Sequence, residues 1–67
     1  MSTAESRRAQ RMRRACYRRA RDAARAASHA SRSGSPASVA LYLSEVRTWR
    51  GLGSAWLSAA RAWETLS

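Results

Sequence analysis

Val39, Tyr42, Val46, Trp49, Gly53, Trp56, Ala60 and Trp63 follow one another at alternating intervals of three and four residues. That alternation keeps one line of side chains on one side of a helix, facing one neighbour. It predicts an amphipathic helix through most of the second half of the chain. Leu43 and Leu57 flank the line on one side, Leu52 and Leu66 on the other. Ser44, Arg47, Ser54, Ser58, Arg61 and Thr65 fall opposite, on a polar face. Gly51 and Gly53 work against this helix, at about 1 kcal/mol each in a helix interior. Gly51-Leu52-Gly53-Ser54 also has the form of a helix stop followed by a new cap, which would give three helices. The seven-residue phase from Tyr42 to Trp63 passes across the pair unbroken, so the expectation is one continuous helix, kinked at most.

The first half obeys a different rule. Residues 1–32 are dominated by Ala and Arg, with Met and Gln, and contain no Gly or Pro. These are strong helix formers. Ser2 and Glu5 have capping-box spacing for the start of a helix. Gly34 suits its end, and Ser35-Pro36 suits the start of the next. The expected fold is all-α: an antiparallel hairpin of two long helices in one small domain, residues 1–67. Helix 1 covers about 3–32, the turn 33–36, and helix 2 about 36–66. A short turn between two helices of similar length favours antiparallel packing.

A chain of 67 residues buries only about 60% of its unfolded surface. Cys16 is the only cysteine and His29 the only histidine. Neither an internal disulfide nor a four-ligand zinc site can be built from them. Cys16 reads as a buried, Ala-like filler, and His29 as a surface residue. Oligomerisation or a larger partner is then the expected source of additional stability, and a homodimer forming a four-helix bundle is the expected form.

Charge separates the two halves. The chain carries thirteen Arg, no Lys and a net charge of +9. Residues 1–32 hold ten of those Arg against Glu5 and Asp22. On a heptad wheel Arg7, Arg14 and Arg21 share one line, and Arg11, Arg18, Arg25 and Arg32 share the next. Even scatter would put about three of the ten on two of seven lines. Ala9, Cys16, Ala23 and Ala30 lie opposite, flanked by Met12, Ala20, Ala26 and Ala27. That small-residue strip is the expected bed for the tryptophan rings of helix 2. Arg13 and Arg19 sit at its edges and would have to snorkel.

The candidate site is therefore a docking edge for an anionic partner: Arg7, Arg11, Arg14, Arg18, Arg21, Arg25 and Arg32, broadened by Arg8, Arg13 and Arg19. Tyr17, beside the stripe, is a candidate for stacking on a base or sugar. Val39, Tyr42, Val46, Trp49, Trp56, Ala60 and Trp63 form the candidate packing or oligomer seam. No catalytic constellation, phosphate-binding glycine loop or metal cluster is present, so neither an enzyme nor a cofactor is expected. Arg forks onto phosphate or carboxylate and stacks on bases. Gln10 is the only amide side chain, which disfavours base-specific reading of DNA. RNA or a ribonucleoprotein, bound with low sequence specificity, is the leading partner.

The alternative is a protein-interaction module or inhibitor, of phage or mobile-element type, that binds an acidic host protein. A peripheral membrane peptide ranks below both, because the apolar face of helix 1 is mostly Ala. No stretch has the length of a transmembrane helix. The expected location is the cytoplasm, or the host-cell cytoplasm for a phage protein. The Arg-, Ser- and Ala-rich residues 1–32 also fit a mitochondrial transit peptide, against which Glu5 and Asp22 count. In outline the layout is similar to small helical-hairpin RNA-binding proteins such as plasmid copy-control dimers. No residue motif of such proteins is present, and no functional residue is carried over from them.

Overall fold

The computed structural model describes residues 3–66. They form two helices, α1 (Ala4–Arg32) and α2 (Pro36–Leu66), joined by Ser33, Gly34 and Ser35. Helix α1 starts one residue later than the Ser2 cap expected from spacing; Ser2 lies outside the described residues. Thr3 is the cap: it is extended, and its Oγ1 accepts the Ser6 amide at 2.9 Å. Glu5 in the first turn and Arg32 in the last complement the helix dipole.

The turn satisfies the end of α1 and the start of α2 together. Gly34 takes the left-handed conformation at φ 72°. The Gly34 amide donates to the Ser31 carbonyl at 3.1 Å, and the Ser35 amide donates to the Ala30 carbonyl at 3.0 Å. This is a Schellman arrangement, which closes carbonyls the helix would otherwise leave open. The Ser35 carbonyl then accepts from the Val39 amide at 3.1 Å. Pro36, as first helical residue, has no amide to satisfy. From this short turn α2 runs back along α1.

The antiparallel register is visible along the length of the hairpin. The Ser6 hydroxyl donates to the Glu64 carboxylate at 3.1 Å, near the chain ends. The Tyr17 hydroxyl lies 3.5 Å from Ser54 Oγ, midway along. Between the helices, α1 buries Ser6, Ala9, Cys16, Ala20, Ala23, Ala27 and Ala30. Against them α2 buries Val46, Gly53 and Ala60, spaced seven apart. Among the described residues no buried side chain is larger than that of Val46. Each buried methyl contributes on the order of 0.8 kcal/mol, so the hairpin is held by many small terms.

This seam differs from the expected one at the rings. Tryptophans were to fill the alanine strip. Instead Tyr42, Trp49 and Trp56 are half-buried along one flank, and Trp63 is 43% exposed. Small residues of both helices meet in the seam, on the line of Val46, Gly53 and Ala60, and the ring line lies beside it. Val39 is half-buried at the turn end.

Helix α2 runs through both glycines without a break. Gly53 is required by a close approach: a Cβ there would lie 2.7 Å from Tyr17 Cε1 and 2.9 Å from Cζ. At Gly51 a Cβ would meet nothing within 4 Å. The hairpin is 50 Å long and 12 by 9 Å across, with a Cα radius of gyration of 15.2 Å. A compact chain of this length would have about 11 Å.

The two glycines should therefore answer differently to alanine. Gly51→Ala should gain about 1 kcal/mol of helix propensity and raise Tm by roughly 4–8 °C in thermal melts. Gly53→Ala should push the Tyr17 ring off its seat and show no such gain. In a Tyr17→Ala background the Gly53→Ala change should become stabilising. Equal gains at both positions in the native background would contradict the contact.

Candidate nucleic-acid interface

The alanine seam fixes which way the arginines point. With Ala9, Cys16, Ala23 and Ala30 turned toward α2, the lines half a turn away turn to solvent. Arg7, Arg11, Arg14, Arg18, Arg21, Arg25 and Arg32 are all exposed, and so is Arg8. From Arg7 to Arg25 the steps are four, three, four, three and four residues. Each arginine therefore stands directly above the last, in a file that with Arg32 spans about 38 Å at 1.5 Å per residue. Asp22 approaches this file, its carboxylate 3.7 Å from Arg25, with both side chains well exposed. A pair of that kind is worth little in water.

Like charges three and four residues apart destabilise a helix by a few tenths of a kcal/mol per pair. The file contains five such steps in succession. Opposed to thirteen Arg are only Glu5, Asp22, Glu45 and Glu64 in the whole chain. Glu64 is also the acceptor for Ser6. The charge of α1 is thus held in place by the packing of α2, with four acids in the chain against thirteen Arg.

The two flanks of the hairpin have different chemistry. One carries Tyr42, Trp49, Trp56 and Trp63. There the Arg19 guanidinium carbon sits 4.8 Å from the centroid of the Trp49 ring, a cation–π distance. Shallow grooves on this flank are lined by acids as well as cations: Arg8 and Glu5 with Trp56 and Trp63, and Arg19, Asp22 and Glu45 with Trp49. Met12, Leu52 and Leu66 are also exposed. The other flank carries Tyr17. Its groove, of about 310 Å³, is lined by Arg13, Arg14, Tyr17, Arg18 and Arg21.

Tyr17 is also engaged within the hairpin. Its ring rests over Gly53, and the residue is half-buried. It is a wall of the groove and a part of the helix contact. The wheel placed it correctly beside the stripe; its seat on Gly53 followed from the register with α2, which the wheel does not contain. Arg13 is deeper than an edge position: it is half-buried, and its Nε is closed off from solvent. The signal for that was available, because Arg13 falls seven residues from both Ser6 and Ala20. Cys16 is buried in the seam as a free thiol, and His29 is exposed.

No protein-family model, curated protein or solved structure matches this chain.

Among the described residues no group of three or more His, Cys, Asp or Glu is placed to hold a metal. No helix of the described residues is long and apolar enough to cross a membrane. What the arrangement offers chemically is a file of positive charge along one helix, with one ring and one half-buried arginine at its side.

Screening should stabilise such a molecule. Raising NaCl from 0.01 M to 1 M shortens the Debye length from about 30 Å to about 3 Å. Tm should climb across that range in circular-dichroism melts. The climb should shrink when Arg14, Arg18 and Arg21 are replaced together by Gln. A Tm that falls with salt would mean that attraction, not repulsion, dominates the charge of α1.

Proposed function

We propose that this hairpin is a nucleic-acid-binding protein. It docks the arginine file of α1 along a phosphate backbone, with RNA or a ribonucleoprotein as the preferred target and low sequence specificity. The observation that carries this reading is the file itself: seven exposed Arg on one face of one continuous helix. Each is permanently charged and able to fork onto phosphate. The span of about 38 Å is close to one turn of duplex. An external polyanion relieves the repulsion along α1 while releasing its own counterions. Beyond a guanine edge, which arginine can fork onto, reading bases calls for amide, hydroxyl or acidic side chains, and the file contains none of these. Low sequence selectivity follows.

The same reading includes a second copy of the chain. The accessible surface is 4984 Å², where a compact monomer of this mass would expose about 4,200 Å². Trp63, Leu52 and Leu66 contribute to the excess at 43%, 44% and 78% exposure. These side chains lie away from the arginine file, so a partner hairpin on the Trp flank leaves the file open. Sedimentation should give a mass twice that of the chain, reverting to one chain on Trp63→Arg without loss of helical signal. A native protein that stays monomeric at high concentration would remove this part of the reading.

Binding should be steeply salt-dependent. For single strands the slope of log K against log salt is about 0.7 per phosphate neutralised, so seven contacts give a slope near −5. Each Arg→Gln change within the file should reduce the slope by about 0.7. Fluorescence anisotropy with labelled single-stranded and duplex RNA at several salt concentrations measures it. Affinity of micromolar or weaker at low salt for both probes would end the proposal. Recovery of one stoichiometric protein that survives nuclease treatment would put an acidic protein in the place of the nucleic acid.

A further inference from the structure

Arg13 stands where the seam calls for alanine. It shares a heptad line with Ser6, Ala20 and Ala27, all of which are buried against α2. Its Nε is buried and has no hydrogen-bond partner. Burying an arginine N–H unpaired is costly, and a methyl group at this position would extend the seam. The guanidinium carbon lies 6.0 Å from the centroid of the Tyr17 ring. There Arg13 lines the same groove as Arg14, Arg18 and Arg21. Glu5, and Asp22 with Glu45, temper the grooves of the Trp flank. The described lining of the Tyr17 groove contains no acid. Four arginines therefore line one groove, one of them half-buried with its Nε closed off from solvent. A tetrahedral oxyanion can accept from several such donors at once, and arginine meets phosphate with paired, directional hydrogen bonds.

We propose that this groove is a discrete site for one phosphate group. Arg13, Arg14, Arg18 and Arg21 supply the donors, and Tyr17 supplies the apolar wall. Resting on the nucleic-acid reading above, the group is a phosphodiester of the bound strand. This site then fixes where the strand crosses α1, while the rest of the file adds screened, non-directional attraction.

Two probes test this on the full chain: inorganic phosphate and a labelled single-stranded RNA. Phosphate titrated against chloride at constant ionic strength should move the Arg13 Nε–H and Tyr17 ring resonances along a saturating curve, leaving those of Arg25 and Arg32 little changed. Arg13→Ala and Arg18→Ala should each weaken RNA binding about tenfold, the loss expected for a charge-assisted hydrogen bond. Arg25→Ala, a single screened charge, should cost about twofold. Arg13→Lys keeps the charge without the planar fork and should stay weak. Alanine suits the seam, so Arg13→Ala should keep its helical signal; the exposed Arg18 carries the comparison if it does not. Equal losses at Arg13, Arg18 and Arg25, with phosphate shifts that never saturate, would overturn the site and leave the nucleic-acid reading intact. A saturating phosphate response with RNA affinity the same in every variant would overturn the phosphodiester assignment in favour of free phosphate. Saturation by phosphate in a protein that does not bind RNA would uphold the site and end the nucleic-acid reading.

Discussion

Two helices approach most closely when the residues between them end at Cβ or shortly after. Here that condition holds on both sides: alanines, a cysteine and a serine on α1, and Val46, Gly53 and Ala60 on α2. Everything else in the molecule is arranged around that contact. It turns the arginine file outward, because a helix that commits one face to a neighbour commits the opposite face to solvent. It leaves the aromatic residues of α2 on a flank, because Val46, Gly53 and Ala60 hold the middle. It also brings the Tyr17 ring down on Gly53, where any side chain on α2 would obstruct it.

The cost of this design falls on electrostatics. Helix α1 has excellent intrinsic propensity and poor charge spacing. It stays straight because α2 lies along it, not because its own side chains neutralise one another. Helix α2 in turn carries two glycines that weaken it in isolation, and gains its order from the same contact. Neither helix has a clear reason to persist without the other. That mutual dependence suits a protein whose working surface is one of charge, since the charged face needs no contribution to the fold.

Much of this was legible in the sequence. The Schellman glycine at Gly34 and the proline at Pro36 marked the turn, because each residue type has a conformational reason to be there. The heptad wheel found the alanine face and the arginine file, because both depend only on the angle around one helix. The depth of each residue was less legible. An angular diagram puts Trp49, Trp56 and Trp63 toward the partner helix but does not say which of two adjacent lines sits in the middle of the contact; Val46, Gly53 and Ala60 do, and the rings lie beside them. Arg13 was read as an edge residue, because charge argues for the surface more strongly than position argues for the seam. The cap fell on Thr3 because its hydroxyl reaches the Ser6 amide, a choice of one residue that spacing alone does not make. The seat of Tyr17 on Gly53 depends on the register between the helices, which a single-helix wheel does not contain.

The three-residue turn has a consequence for how the hairpin forms and yields. Once Ser33–Ser35 has closed, each further contact between α1 and α2 encloses only a few more residues, so closure entropy grows slowly along the rod. Assembly then resembles a zipper that starts at Ala30 and Val39 and travels outward. The last tooth is the hydrogen bond between Ser6 and Glu64. By the same logic that end opens first, and at the least cost. The charged edge is therefore graded in stiffness: firm near Arg32, compliant near Arg7 and Arg8. A ligand that bends away from a straight line is best accommodated at the open end.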